Sequence, residues 1–401
     1  MNLRIGPFDV GTPLVLAPMA GVTNAPFRTL CRDAAAAGLI ADGVPAEHAA
    51  ALASSPAPVG LYVAEMVTSR ALVERTPESM RIISHDEAEA VRSVQLYGVD
   101  PATVRAAVRM LVTEDRADHI DLNFGCPVPK VTRKGGGAVL PWKHELFGAI
   151  VTGAVEEAAP AGVPVTIKMR MGVDADHLTY IDAGLRAQDA GVAAVALHAR
   201  TAADYYSGTA HWDAIARLKD AVTDVPVLGN GDIWSAEDAL TMVAHTGCDG
   251  VVVGRGCQGR PWLFTDLVAG FAGSPARVRP GLREVAAVIR RHAELMVDHF
   301  GDELRGLREL RKHMSWYTKG YVVGGEARAG LGLVESLADL DTKLAALDLD
   351  QPYPGEAAEG PRGRAGTPKA PAVPEGWLAS RDIDDALRTM LAEAELSVSG
   401  G

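Results

Sequence analysis

His119-Ile-Asp-Leu-Asn-Phe-Gly-Cys-Pro127 runs on into Lys130-Val-Thr-Arg-Lys134-Gly-Gly-Gly137. The first part reads as a short strand, His119 to Phe124, closed by a tight turn; the second reads as a basic, glycine-rich loop. A cysteine between Gly125 and Pro127 at a strand end is poorly placed to fill a core and well placed to face a pocket. Lys130, Arg133 and Lys134 suit a phosphate-bearing partner such as RNA. Cys126 is therefore a candidate acid, and the loop after it a candidate RNA contact.

Seven further apolar, β-branched runs flank this one. They begin at Leu14, Leu61, Ser93, Val163, Ala194, Val225 and Gly250. The eight centres are spaced by roughly 25 to 47 residues, the scale of a βα unit. Stretches with helical spacing lie between them: Asp100 to Leu111, His144 to Glu157, Leu178 to Ala190, Trp212 to Ala221 and Ser235 to His245. Near-continuous apolar strands imply burial on both faces and a parallel sheet. The expected fold class is α/β, a (β/α)8 TIM barrel over residues 1–275, followed by a small all-helical domain. An open doubly wound sheet is the alternative. Ala34 to Val59 is longer than one connecting helix needs and reads as an extended helix or an insertion.

Beyond Gly281 no strand pattern recurs. Leu282 to Phe300, Glu303 to Tyr317 and Leu333 to Leu347 read as helices of a second domain over 281–349. The middle helix carries Arg305, Arg308, Arg311 and Lys312, then Trp316, Tyr317 and Lys319. Such a face suits RNA; on pattern alone a solvated face with Trp316 in the core is the preferred reading. Residues 350–401 begin as a Pro/Gly-rich stretch, expected to be disordered, and end in a short helix.

The 401 residues are 48% hydrophobic and 22% charged, as in a globular protein. No apolar run reaches the roughly 18 residues of a membrane span, and a cytoplasmic monomer is expected. The four cysteines form no C-x-x-C pair, so no metal is expected. The net charge of −12 counts against nucleic acid unless the binding surface is a local basic patch.

Functional residues of a barrel gather at the C-terminal ends of its strands. Those ends carry Pro18-Met19, Glu65-Met66, Gln95, Asn123 with Cys126, Lys168 with Arg170, His198 with Arg200, Asn230 with Asp232, and Gly254 with Arg255. Glycines at the seventh and eighth ends let backbone N–H groups approach an anion, and the loops there are the usual barrel phosphate site. Gly254-Arg-Gly-Cys-Gln-Gly259 also fits G-x-G-x-x-G, but it follows the eighth strand of a series, so a dinucleotide site is not expected there. Lys168 ends an otherwise apolar strand, and a buried lysine needs a partner; near a flavin it would stabilise the anionic reduced ring. His198 either binds the same group or caps its strand. A thiol, with an ordinary pKa of about 8.5, stays protonated at neutral pH and can donate.

These residues resemble the tRNA-dihydrouridine synthases, most closely the bacterial B-type. The resemblance rests on Ala17-Pro-Met-Ala-Gly-Val-Thr-Asn-Ala-Pro-Phe-Arg28, Val94-Gln-Leu-Tyr-Gly98, Asp121-Leu-Asn-Phe-Gly-Cys-Pro127 and Thr166-Ile-Lys-Met-Arg170. Leu197-His-Ala-Arg-Thr201, Gly229-Asn-Gly-Asp232, Gly254-Arg255 and Arg311-Lys-His-Met-Ser-Trp-Tyr317 add to it. The resemblance implies an FMN-binding barrel, a helical tRNA-binding domain, and NADPH-driven reduction of specific uridines in tRNA to 5,6-dihydrouridine. It implies that Cys126 protonates uracil C5 while hydride reaches C6. By the same resemblance Ala17, Pro18, Met19, Gln95, Lys168, His198, Asn230, Gly231, Asp232, Gly254 and Arg255 hold FMN. Asn123 and Arg170 would lie near the base, and Arg133, Lys134, Arg200, Thr201, Arg311 and Lys312 would contact tRNA. The chain departs from the pattern at Ala199, where glycine is common, in the long 34–59 stretch, and in the tail.

Two other readings compete. One is a flavin barrel acting on a free pyrimidine or small enone, for which the basic helix would be superfluous. The other is an RNA-binding protein without catalysis, for which Cys126 and Lys168 would be superfluous.

Overall fold

A computed structural model describes residues 3–53, 59–363 and 365–396. Eight parallel strands close into a barrel. They are β1 (Leu14–Leu16), β2 (Leu61–Thr68), β3 (Ser93–Tyr97) and β4 (His119–Phe124). The series continues with β5 (Val165–Arg170), β6 (Ala194–His198), β7 (Val227–Asn230) and β8 (Gly250–Val253). Pairing of Val251, Val252 and Val253 with Leu14, Val15 and Leu16 joins the last strand to the first. That closure excludes the open sheet. Outward positions such as Leu122, Ile167 and Val195 pack beneath the surrounding helices.

The inward positions Val15, Leu61, Val63, Ala194, Ala196, Leu228 and Val252 form a separate core with Leu3, Ile5 and Val10. Those three come from an antiparallel hairpin, Leu3–Ile5 with Phe8–Val10, that plugs the N-terminal end of the barrel. Its turn residue Gly6 has φ 56°, and a Cβ there would sit 2.6 Å from the Pro164 side chain. The hairpin leaves the opposite, C-terminal mouth as the open end.

The long first connection is two helices, Ala25–Gly38 and Ala46–Ala53. Asn24 caps the first by accepting the Phe27 N–H at 3.1 Å. It ends where only glycine fits, since a Cβ on Gly38 would lie 2.7 Å from the Thr265 carbonyl oxygen. Residues 54–58 of the expected insertion lie outside the described residues.

After the barrel, helices Leu282–Phe300 and Glu303–Tyr317 pair through Val285, Ile289, Met296, Leu307, Leu310 and Met314. Gly301, at φ 62°, ends the first, and Asp302 caps the second by accepting the Arg305 N–H. Shorter helices follow at Gly325–Leu331 and Leu337–Ala345. Gly259 lies against the second long helix so closely that a Cβ would sit 2.4 Å from the Trp316 carbonyl carbon. That approach sets Trp316 and Lys312 beside the barrel mouth.

The Pro/Gly-rich stretch expected to be disordered is ordered against the body. Arg362 is buried and donates to the Trp316 carbonyl at 2.5 Å, Lys319 donates to Pro361 O at 2.9 Å, and Trp377 is fully buried. The stretch builds no core of its own. Its order comes from cation-to-carbonyl hydrogen bonds made in both directions between tail and body, and from one inserted indole.

Candidate active site

A cavity of about 530 Å³ opens at the C-terminal mouth of the barrel, lined by strand ends, the Cys126 turn, Lys312 and Trp316. Beneath it, inside the barrel, runs a hydrogen-bonded chain of polar side chains that surfaces in the cavity at Gln95 and Asn123. Ser93 Oγ meets His119 Nδ1 at 2.7 Å, and His119 Nε2 meets Thr166 Oγ1 at 3.0 Å. Thr166 Oγ1 donates to Asp121 Oδ1 at 2.6 Å, and Gln95 Nε2 donates to Asp121 Oδ2 at 2.6 Å. Asn123 Nδ2 then donates to Gln95 Oε1 at 3.0 Å. The other end of Asn123 completes the path: its Oδ1 accepts the Gly125 N–H at 2.9 Å and the Cys126 N–H at 3.0 Å. This local turn lifts Cys126 off the strand axis and aims it at the cavity.

Burial pushes the Cys126 thiol up, with backbone and Arg170 opposing weakly, so it remains a thiol at neutral pH. The same burial pushes Asp121 up to about 6 and His119 down to about 3. Lys168 Nζ donates to Asn230 Oδ1 at 2.8 Å, and Asn230 Nδ2 donates to Val252 O at 2.6 Å. Burial, then the Arg170 charge, brings Lys168 down to about 8. His198 is driven well down by burial and then by Arg170, Lys168, Arg200 and Arg255, so it is a neutral imidazole in a positive field.

At the ends of β7 and β8 the wall is built around Asp232, which adopts φ 53°. Arg200 grips it in a fork, Nη1 to Oδ1 at 2.9 Å and Nη2 to Oδ2 at 2.8 Å, and the Ala210 N–H adds a bond at 2.7 Å. Arg255 approaches the same carboxylate at 3.4 Å, its guanidinium 4.6 Å from the Tyr206 ring centre and 5.0 Å from that of Trp234. Arg170 holds the neighbouring loops through Gly125 O at 2.9 Å and through Thr201 O and Tyr205 O at 2.7 Å each.

The expected residues therefore divide. Ala17, Pro18, Met19, Gln95, Asn123, Cys126, Lys168, Arg170, His198, Asn230, Gly231, Asp232, Gly254, Arg255 and Lys312 line the one cavity. Arg200 and Thr201 lie behind that lining: Arg200 is 1% exposed and locked to Asp232, and Thr201 is buried on Asp204. Arg311 donates to Val334 O at 3.0 Å and reaches Glu335, tying its helix to the connection before Leu337–Ala345, away from the cavity. Arg133 is exposed on the loop beyond Cys126, with Lys134 half-buried beside it. Tyr317 of the basic helix is core, bonded to His292 Nδ1 at 3.0 Å, whereas Trp316 lines the cavity.

Tyr206, Trp234 and Gly363 line the cavity unmarked by any motif, and Gln258, within the Gly254–Gly259 run, lines it too. The Tyr205-Tyr206 pair and Trp234, aromatic residues just past strand ends, were the available signals; Gly363 had none. Gln258 Oε1 is buried without a hydrogen-bond partner among the described residues, in the cavity wall. An unmet acceptor there calls for a donor from a bound group.

Residues 15–349 match the family described as Dihydrouridine synthase (Dus). A probable tRNA-dihydrouridine synthase of Mycobacterium leprae (strain TN) is 53% identical over 390 residues, spanning 96% of this chain and all of that protein. A probable tRNA-dihydrouridine synthase of Mycobacterium tuberculosis (strain CDC 1551 / Oshkosh) is 52% identical over 382 residues, 95% and 93% of the two chains. The tRNA-dihydrouridine synthase B of Pseudomonas aeruginosa is 36% identical over 345 residues, 86% of this chain and 94% of that one.

Proposed function

The chain belongs to the dihydrouridine synthase family, and from that premise we propose that it is an FMN-dependent enzyme that reduces specific uridines of tRNA to 5,6-dihydrouridine with NADPH as reductant. The observation that carries the reading is Cys126, an un-ionised thiol held at the lip of a cavity whose other walls carry cations and amides.

The residues present fit FMN. The volume lies within the usual range of cofactor pockets. Arg255, Gly231 and Gly254 at the β7 and β8 ends suit a phosphate, and the positive field around His198 calls for an anion. Lys168, Gln95, Asn123 and Asn230 offer the donors and acceptors that a flavin ring edge needs, and the unmet Gln258 Oε1 offers one more acceptor. When bound, FMN supplies the hydride for uracil C6.

The protein residues have separate tasks. Cys126 donates a proton to C5 of the same base, and its burial keeps that proton in place until it is needed. Asn123 holds Cys126 through the backbone N–H and, through Gln95, fixes the donor against the floor network. Lys168 carries positive charge at neutral pH and offsets negative charge developing in the pocket. Arg170 ties the Cys126 turn to the loop after β6. Exposed Arg133, with Lys134 and Lys312, provides local cations for the tRNA backbone on an acidic protein.

The test is direct. Purified protein should be yellow and release FMN on denaturation. With NADPH it should form dihydrouridine in tRNA transcribed without modifications. A colourless protein that takes up no FMN, or one that reduces only free uracil, overturns the proposal.

A further inference from the structure

The tail beyond residue 349 lies outside the region matched by the family, yet it follows the rim of the cavity. Arg362 fastens it to the Trp316 carbonyl, and Gly363 lines the cavity, where a Cβ would come within 2.6 Å of Gln258 Oε1. Farther on, the Lys369 N–H donates to Ala203 O at 2.9 Å, in the loop after β6. The tail then reaches the loop that carries Cys126. Trp377 is fully buried and donates through Nε1 to Val139 O at 3.0 Å. Buried Lys143 draws in the next turn, donating to Ser380 O at 2.7 Å and Asp382 O at 2.8 Å.

The contact with that loop is close and specific. The Trp377 ring lies so near Gly135 that a Cβ there would fall 2.5 Å from the indole. Two residues on, Gly137 backs onto Cys126, where a Cβ would lie 2.4 Å from the Cys126 carbonyl oxygen, and the Ala138 N–H donates to that oxygen at 3.0 Å. Asn123 therefore holds Cys126 by its N–H, and the Gly135–Val139 segment holds it by its carbonyl. That segment rests on Trp377.

We infer that the tail is a strap and that Trp377 is a positioning residue for Cys126, setting the thiol by backing the loop behind it. The inference rests on the proposed acid role of Cys126. It concerns the turnover step, not FMN retention or tRNA affinity.

The full-length protein is compared with Trp377→Ala, Trp377→Phe and Lys143→Met. For each, bound flavin, kcat and KM for tRNA, and the pH dependence of Cys126 alkylation by iodoacetamide are measured. The other cysteines are buried, so alkylation reads Cys126. Trp377→Ala is expected to keep its flavin, lose roughly ten- to a hundredfold in kcat with KM changed by less than about threefold, and alkylate faster. Trp377→Phe, which refills the space, should recover most of kcat. Lys143→Met unties the Ser380 turn without emptying the core and should show the same split in smaller amplitude. It keeps the test alive if Trp377→Ala does not fold.

Unchanged kcat and alkylation in Trp377→Ala and Lys143→Met overturn the inference. So does a raised KM at unchanged kcat, which would make the tail a tRNA contact. A wild-type protein without dihydrouridine activity would instead defeat the proposed function, while the alkylation comparison would still report whether the strap sets the thiol.

Discussion

Asn123 joins the Cys126 backbone to Gln95: its Oδ1 accepts the Cys126 N–H at 3.0 Å and its Nδ2 donates to Gln95 Oε1 at 3.0 Å. One amide thus couples the position of the thiol to the polar floor of the cavity. Asn123→Ala removes the acceptor of two backbone N–H groups and one partner of Gln95. A kcat loss of roughly ten- to a hundredfold is expected from a misplaced donor, with about 1–3 kcal/mol of stability lost to unpaired polar groups. Turnover and thermal melting of the flavin-loaded variant check both; wild-type turnover would show that the coupling is idle.

The pH profile should fall on its alkaline side. Lys168 is cationic below its value of about 8 and loses its charge as pH rises through it. The Cys126 thiol, pushed up by burial, loses its proton only at still higher pH. Single-turnover rates of the pre-reduced enzyme should therefore hold from pH 6.5 to 7.5 and decline near pH 8. Lys168→Arg, which keeps its charge, should move the first decline upward. A profile that rises through pH 8 contradicts both assignments.

Arg200 braces the cavity wall through Asp232. Removing it leaves the half-buried Asp232, at φ 53°, without its fork and with only the Ala210 N–H and the longer Arg255 contact. Arg200→Met should cost about 1–3 kcal/mol, the usual penalty for a partly buried polar group left short of partners, and reduce flavin content. Denaturant unfolding and flavin absorbance measure these. A stable, flavin-loaded variant with only a raised tRNA KM would restore the surface role.

Acid should weaken the fold. Burial pushes His119 and His292 down to about 3 and drives His313 well down. Their folded values lie below the unfolded one, so their contribution is complete above about pH 6.5 and lost as pH falls. At pH 5 each of the first two costs about 2 kcal/mol. Asp121 and Asp266, raised by burial to about 6, take up protons in the folded state and return about 1 kcal/mol each. The balance predicts a lower melting temperature at pH 5 than at pH 7. A flat or rising melting temperature would mean that these imidazoles are solvated.

The barrel was legible because parallel strands buried on both faces leave apolar runs, and because polar residues interrupt those runs at one end. Asn123, Lys168, His198 and Asn230 were found that way, and the structure gathers them around one cavity. The N-terminal hairpin escaped notice because each strand is three residues long and pairs only with the other. The burial of Arg200 was not legible, because its partner Asp232 stands on the next strand end, and sequence alone does not tell a buried fork from a surface cation. The tail was misread for a related reason. Its composition builds no core, but its carbonyls and Trp377 are held by Lys143, Lys319 and the loop behind Cys126.

The central claim is that Cys126 is the proton donor opposite the cofactor, and Cys126→Ala tests it most directly. With flavin content and the rate of reduction by NADPH measured alongside, a single turnover on unmodified tRNA isolates the protonation step. Full flavin, wild-type reduction by NADPH, and dihydrouridine formation slowed by a factor on the order of 10²–10⁴ are expected. Dihydrouridine formed at the wild-type rate by that variant would contradict it.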